Sequence, residues 1–336
     1  MAESPILFRD YEPEEALPPR KRRRRGVTVF LTLLVLPVLA MCVLRLGGID
    51  GNWLTVAALA AMPYFAGYGL VVTLLSLVLR RRLLTLVSLV LSLSLAVVLV
   101  PRILPDGDPI PPGQRVRLLS ANLRLGQADT ATVLRLVRDA RVDVLTLQEL
   151  TPAALDALDA AGIEQLLPYR VVRTSPGGAG GGILARVPLR QIVLIDDTSF
   201  EQPAAVLDLS GAVDLEVVAI HIAPPVTGDA QRKKWQHELG LVPSPDSRGR
   251  PRVLAGDFNA TLDHRALTSL IDKGYSDAAE LTGEAMRPTW SHAPFGPPVT
   301  IDHVLVDRRI GATSAAVYDL PGSDHNALFT ELALPR

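Results

Sequence analysis

Val253-Leu254-Ala255-Gly256-Asp257-Phe258-Asn259 is an apolar run that stops at a glycine, an acid and an amide. The aliphatic residues read as a buried strand. Its polar end predicts Asp257 and Asn259 at the carboxyl edge of a sheet, where open α/β sheets place their ligands. Side chains two apart on a strand share a face. Asp257 can then accept a proton or hold a water while Asn259 donates to an anionic oxygen. The competing reading is a turn former that caps its own backbone, and Asp-x-Asn alone does not separate the two.

Working outward, the same punctuation recurs. Leu118-Leu119-Ser120-Ala121-Asn122 runs into an amide, and Val144-Leu145-Thr146-Leu147-Gln148-Glu149 ends in a carboxylate. Val217-Val218-Ala219-Ile220-His221 ends in a histidine, Ile301-Asp302-His303-Val304 carries an acid, and Ser323-Asp324-His325-Asn326 precedes a further apolar run. This order of motifs, over residues 115 to 336, resembles the endonuclease/exonuclease/phosphatase superfamily of DNase-I-like nucleases, inositol-phosphate phosphatases and bacterial sphingomyelinases. The resemblance implies a four-layer α/β/β/α sandwich of two mostly antiparallel sheets, with the site at one end. Helices are expected over Ala131–Ala140, Pro152–Ala161 and Ala230–Leu241.

It also implies roles. Glu149 would hold Mg²⁺ or Mn²⁺, helped by Asn122 and Asp324, since such ions are held by one or two carboxylates and keep waters for substrate. A helix-start carboxylate ahead of Thr151-Pro152 is the plainer reading of Glu149. Asp257 would orient or deprotonate the attacking water and Asn259 would bind a phosphoryl oxygen. His325, oriented by Asp302, is the other base candidate or a phosphate contact. His221 would touch phosphate or protonate the leaving oxygen. His237, His264, His292 and His303 read as structural or solvated.

Residues 1–104 are a different kind of sequence. The mean hydropathy of the chain is +0.26, raised by apolar stretches at Val27–Leu46, Trp53–Leu79 and Leu83–Leu104. Each approaches or exceeds the roughly 20 residues that cross a bilayer, which predicts three transmembrane helices over 27–104 behind a basic tail, 1–26. Arg20 to Arg25 precede the first stretch, Arg80-Arg81-Arg82 separate the second and third, and Gly47 to Asn52 carries no cation. Lys and Arg favour the cytoplasmic side. The large domain, 115–336, is therefore expected outside a plasma membrane that the chain crosses more than once. A Pro/Gly-rich linker, 105–114, should be extended.

Composition narrows the partners. From Pro105 onward there are 22 Lys/Arg against 29 Asp/Glu, whereas proteins that grip long nucleic acids show a basic footprint. Arg232-Lys233-Lys234 is the best candidate patch, and a solvated helix face is its plainer reading. Phe200-Glu201-Gln202-Pro203-Ala204 is neutral or acidic where nucleases of the superfamily carry an arginine. Cys42 is the only cysteine, so no intramolecular disulfide forms, and no Cys/His cluster has zinc spacing. Gly177 to Gly182 lacks the Lys-Ser/Thr ending of a phosphate loop and reads as a hairpin turn. The layout, with His221-Ile222-Ala223-Pro224-Pro225, is similar to that of membrane-anchored teicoplanin-resistance proteins of the VanJ type. That resemblance implies activity on a lipid-linked phosphate such as undecaprenyl pyrophosphate. An extracytoplasmic nuclease and a non-catalytic membrane interaction protein are the alternatives.

Overall fold

Helices with apolar residues on every side have no face to turn to water, and the first hundred residues follow that rule. The computed structural model describes residues 19–211, 213–226, 228–291 and 296–336, with side chains from Arg25 onward. Four helices come first: α1 (Pro19–Gly47), α2 (Trp53–Ala60), α3 (Met62–Val78) and α4 (Arg82–Leu99), closed by a 3-10 turn, Val100–Arg102. Two helical stretches, Arg25–Gly47 and Arg82–Arg102, are long and apolar enough to cross a membrane. The expected span Trp53–Leu79 is not one helix. It breaks at Ala61, and α2 and α3 meet at 66°. Pro63 stands in the first turn of α3, where its missing N–H costs nothing but prevents the helix from running through.

The α1/α3/α4 bundle is inverted relative to a soluble one. Ser76, Ser88 and Ser92 are fully buried, and Thr73 Oγ1 donates to Ser88 Oγ at 3.0 Å. A Cβ on Gly69 would stand 2.4 Å from Ser92 Oγ, so α3 and α4 touch through small residues, as helices in lipid do. Leucine and valine face outward instead, among them Leu33, Leu36, Leu70, Leu74, Leu83 and Val97.

Beyond Gly113 the chain forms two six-stranded sheets. The first comprises β1 (Arg115–Asn122), β2 (Val144–Gln148), β3 (Tyr169–Arg173) and β4 (Gly181–Ala185), with β11 (Gly311–Tyr318) and β12 (Ala327–Ala333), in the order β11-β12-β1-β2-β4-β3. The second comprises β5 (Leu189–Ile192), β6 (Ala204–Leu207), β7 (Leu215–His221), β8 (Arg252–Asp257), β9 (Tyr275–Asp277) and β10 (Asp302–Asp307), in the order β5-β6-β7-β8-β10-β9. Each sheet is antiparallel except for one central parallel pair, β1 with β2 and β7 with β8. Parallel neighbours need a crossover. The crossover helices are α5 (Thr130–Asp139) and, after α6 (Pro152–Ala160) and α7 (Ile163–Leu166), α8 (Asp229–Leu241). The three expected helices thus form within a residue of their expected bounds.

Three buried clusters fit the expected four layers. Val116, Val144, Val217, Val253 and Val304 fill the space between the sheets. Leu119, Leu145 and Leu147 pack the first sheet on Val133, Val137 and Leu158 of α5 and α6. Val218, Ile220 and Leu254 pack the second on Trp235 and Leu239 of α8 and on Leu267 and Leu270 of α9 (Arg265–Ile271). The turn between β3 and β4 runs over 174–180 and contains Gly177, Gly178 and Gly180, the hairpin that the composition predicts, while Gly181 and Gly182 already belong to β4.

The helical bundle is clamped to this sandwich. Asp263 accepts Arg45 Nε at 2.8 Å and both terminal nitrogens of Arg102 at 2.8 and 2.7 Å. Tyr64 Oη donates to the Pro298 carbonyl at 2.6 Å, and Asp50 accepts the Ala266 N–H at the start of α9. The end of α1, the start of α3 and the end of α4 therefore all meet the domain, and Arg80-Arg81-Arg82 lies at the opposite end of the bundle.

His264 joins the clamp. Its Nδ1 accepts the Thr261 N–H at 2.8 Å, so the neutral ring carries its proton on Nε2 and donates to the Val56 carbonyl of α2 at 2.9 Å. Burial holds its pKa below the usual 6.5, against the pull of Asp263 and Asp50. A depressed histidine pKa means that the unfolded chain takes up the proton first, so this contribution is complete above about pH 6.5 and fades as pH falls. The melting temperature of the full chain is expected to exceed that of His264→Gln at pH 7.5, and the gap is expected to shrink at pH 5. Melts of both proteins across that range check it.

Candidate active site

Parallel strands end at the same edge. Asn122 and Glu149 follow from β1 and β2, and His221 and Asp257 from β7 and β8, so the two sheets deliver four polar groups to one end of the sandwich. Antiparallel partners complete the set. Asp302, the first residue of β10, pairs with Asp257, and His325 stands just ahead of β12, beside the end of β1. The eight expected residues divide into a tight cluster and a rim. Asn122 Nδ2 donates to Asp257 Oδ2 at 3.2 Å and to Glu149 Oε1 at 3.3 Å. His221 Nε2 lies 3.9 Å from Glu149 Oε1 and 3.9 Å from Asp257 Oδ2. His325 Nδ1 meets Asp302 Oδ2 at 2.9 Å, and its Nε2 lies 3.7 Å from Asp257 Oδ2. Asp324, on the rim, accepts Trp290 Nε1 at 3.3 Å and faces Arg124 Nε at 3.7 Å. Asn259 spends one amide hydrogen on the Ile222 carbonyl at 2.8 Å, leaving the other. All of these but the buried Asn122 and Asp302 line one cavity of about 450 Å³.

The local backbone is built for this. Gly256 has φ +152°, and a Cβ there would stand 2.0 Å from the Ile220 carbonyl oxygen, so only glycine lets β8 press this closely on β7. Glu149 and Asn259 adopt φ of 55° and 48°, a left-handed conformation that costs non-glycine residues energy and clusters at functional sites. Both plainer sequence readings can be weighed here. Asp257 does cap its own turn, through Oδ1 to the Asn259 N–H at 2.8 Å, but its Oδ2 faces the site. Glu149 is no helix cap: Thr151 caps α6, and Glu149 Oε2 instead accepts the Leu125 N–H at 2.7 Å.

The sequence pattern of the Endonuclease/Exonuclease/phosphatase family matches residues 119–325, from the first buried strand to the histidine that closes the site. The chain belongs to this family. Its fold is similar to that of an endonuclease/exonuclease/phosphatase from Beutenbergia cavernae DSM 12333, at 16% identity and TM-score 0.51, over 66% of this chain and 72% of that one. D. rerio TDP2 complexed with single strand DNA product aligns at 17% identity and TM-score 0.51, over 65% of this chain and 99% of that one. Sphingomyelinase C from Streptomyces griseocarneus aligns at 17% identity and TM-score 0.45, over 65% and 99%. No curated protein matches the sequence. At these identities the likeness is one of fold.

Within this family member the proton distribution is uneven. Burial opposes charge on His325, but Asp302 and Asp257 outweigh it and push the imidazole up to about 10. Burial, with Asp302 and Glu149 nearby, raises the Asp257 carboxyl, and the cationic His325 pulls the other way. His221 is pushed down to about 3 by burial and by the His325 charge, so at neutral pH it is an uncharged imidazole. Among the described residues, Glu149, Asp257, Asp302 and Asp324 face His325 and Arg124 as cations, an excess of acidic groups that suits a divalent ion. Asp257, Asp302 and His325 bring ligand-type atoms within 4.8 Å of one another, a grouping other than the expected Glu149, Asn122 and Asp324.

Several supports escape a reading of the sequence. Phe200 stacks on His221 at 4.2 Å and 17°. Gln202 brackets the His221 backbone, accepting its N–H at 2.9 Å and donating to its carbonyl. Glu238, buried on α8, takes the N–H groups of Ser199 and Ala223 at 2.9 Å each. Arg124 reaches the rim because the backbone turns left-handed there, φ 46°. The segment 200–204 thus holds His221 in the polar cluster, and the nearby cation, Arg124, comes from the turn after β1. The plainer readings of other residues stand: His303 is locked between Asp277 at 2.7 Å and the Ala260 carbonyl at 2.8 Å, and His237, Lys233 and Lys234 are exposed while Arg232 turns inward. His264 is structural, as described above, and His292 lies outside the described residues.

Proposed function

We propose that the protein is a divalent-metal-dependent phosphoesterase, anchored in the plasma membrane, that hydrolyses a lipid-linked phosphate or pyrophosphate such as undecaprenyl pyrophosphate at the outer face. One observation carries the lipid reading: the end of the sandwich that holds the site is the end to which the apolar helices are clamped. A substrate confined to the same bilayer would meet such a site at high effective concentration. The basic Arg80-Arg81-Arg82 turn at the far end of the bundle supports a cytoplasmic location for that end and an external one for the domain.

Glu149, with Asp324 on the rim, would hold the ion, because its carboxylate opens on the cavity; Asn122 turns its Nδ2 to Glu149 Oε1 and its Oδ1 to the Arg124 N–H, so it would orient Glu149 and not ligate the ion itself. When bound, Mg²⁺ or Mn²⁺ neutralises charge on the phosphoryl oxygens. The Asp257–Asp302–His325 group reads as a proton relay, since Asp302 already engages His325 Nδ1. Water oxygen bonds to phosphorus as the bond from phosphorus to the leaving oxygen breaks. Asp257 takes the water's proton, and the cationic His325, held by Asp302, returns a proton to the leaving oxygen. The neutral His221 and the spare amide hydrogen of Asn259 bind phosphoryl oxygens.

Arg124 supports a second reading, an extracytoplasmic nuclease, because an exposed guanidinium at the rim suits a phosphodiester backbone. The acidic domain weighs against long duplexes. The full chain in phospholipid nanodiscs, given undecaprenyl pyrophosphate in one assay and supercoiled plasmid in another, separates the two. Phosphate release without nicking is the expected result; nicking without release would replace the lipid reading with the nuclease.

A further inference from the structure

The catalytic cavity has two unlike halves. One is the polar cluster already described. The other is apolar, and part of it belongs to the amino-terminal helices: Val56, Ala57 and Ala60 of α2 face Leu125, Pro224 and Val226 across the opening. Leu125 and Val226 are each 49% exposed, so apolar groups rim a mouth whose floor holds carboxylates and imidazoles.

Three features make this wall more than incidental packing. First, α2 is held in place from several sides, by His264 on the Val56 carbonyl, by Asp229 on the Trp53 N–H at 3.2 Å, and by Val56 itself, buried in the core under the second sheet. Second, the 66° break at Ala61 turns α2 away from the axis of α3. A helix that follows the membrane normal in α3 thereby lies closer to the membrane plane in α2. Third, Trp53, Ala57 and Ala60 fall at i, i+4 and i+7, one stripe on the helix surface. Trp53 is exposed at the outer end and the small alanines lead inward. Leu54, also exposed, lies beside that stripe. Of this stripe Ala57 and Ala60 line the cavity, and their small side chains leave room beside Pro224 and Val226.

Resting on the lipid-phosphate reading above, we propose that the trough between α2 and the Pro224–Val226 segment binds the hydrocarbon chain of the substrate next to its phosphate. The substrate class is then a long-chain lipid phosphate or pyrophosphate that enters sideways from the outer leaflet. Apolar burial along the chain supplies affinity, while the polar floor receives the headgroup. The amino-terminal helices are in this view part of the active site as well as its anchor.

The test uses the full chain in phospholipid nanodiscs with two substrates, undecaprenyl pyrophosphate and the water-soluble isopentenyl pyrophosphate. The wild type is expected to favour the long chain in kcat/KM, and Ala57→Trp, which fills the trough, to lower the long-to-short ratio by about tenfold or more, within the range a reshaped apolar pocket commands. An unchanged ratio overturns the proposal and leaves the phosphoesterase reading standing, as does a wild type with no preference for the long chain. Turnover of neither pyrophosphate, with plasmid nicked, overturns both. A measurement on the unaltered protein guards against a misfolded variant. A lipid phosphate carrying a diazirine in its first isoprene unit is expected to label residues 53–60 or 224–226; labels confined to the outer faces of α1, α3 and α4 would contradict the trough.

Discussion

Replacing Asp257 with asparagine is expected to lower phosphoester hydrolysis by about 10²- to 10⁴-fold, the usual worth of a positioned general base, with little change in stability. The asparagine keeps an oxygen for the Asn259 N–H, so the turn closed at 2.8 Å survives. What is lost is the carboxylate oxygen that faces His325 Nε2 at 3.7 Å and Asn122 Nδ2 at 3.2 Å. Neutral and already turned to the backbone on one side, the amide can neither take the water's proton nor support the imidazolium. Steady-state kcat with a thermal melt checks both halves of the statement. A variant that retains more than about a tenth of the wild-type rate would remove Asp257 from the role of base.

The second large effect concerns Asp263, a residue with no part in the chemistry. Its side chain is 1% exposed and answers Arg102, itself 5% exposed, and Arg45. Removing one member of a buried ion pair leaves an uncompensated charge and costs about 3–5 kcal/mol. Asp263→Ala strands two guanidinium groups between the bundle and the sandwich, so the expected result is a loss of that order in the unfolding free energy of the full chain in detergent. The same variant should cut more readily with protease in the linker over 105–114, because Asp263 holds both α1 and the turn after α4. A melt within about 0.5 kcal/mol of wild type would show that the clamp contributes little.

The fold and the polar cluster were legible because the family's chemistry sits at strand ends. A strand is a local signal, and a glycine, acid or histidine at its end is local too, so alternation and punctuation put Asp257, His221 and Glu149 at strand ends, while their choice over the plainer readings needed the whole series of motifs. The coming together of Asn122, Asp302 and His325 needed the order of motifs, since β1, β10 and β12 are far apart in the chain. What escaped has a common cause. The break at Ala61 depends on Pro63 and on the docking of α2, and hydropathy averaged over Trp53–Leu79 shows one continuous apolar stretch. Arg124 reaches the rim through a left-handed φ that no residue type at that position announces. Phe200, Gln202 and Glu238 act on His221 across tertiary contacts, and the segment 200–204 had been weighed only for a charge it lacks. His264 reads in the sequence as structural or solvated; its bond to Val56 makes it a link between the domain and α2.

Everything proposed for this cluster depends on its hydrolysing phosphoesters with a divalent ion held through Glu149. The most direct measurement is hydrolysis of p-nitrophenyl phosphate and bis(p-nitrophenyl) phosphate by the full chain in detergent, with Mg²⁺ or Mn²⁺ titrated into chelator-treated protein, beside Glu149→Ala. Turnover of at least one ester is expected to rise with metal, vanish with chelator and be lost in the variant. Turnover indifferent to metal, or undiminished by Glu149→Ala, would contradict it.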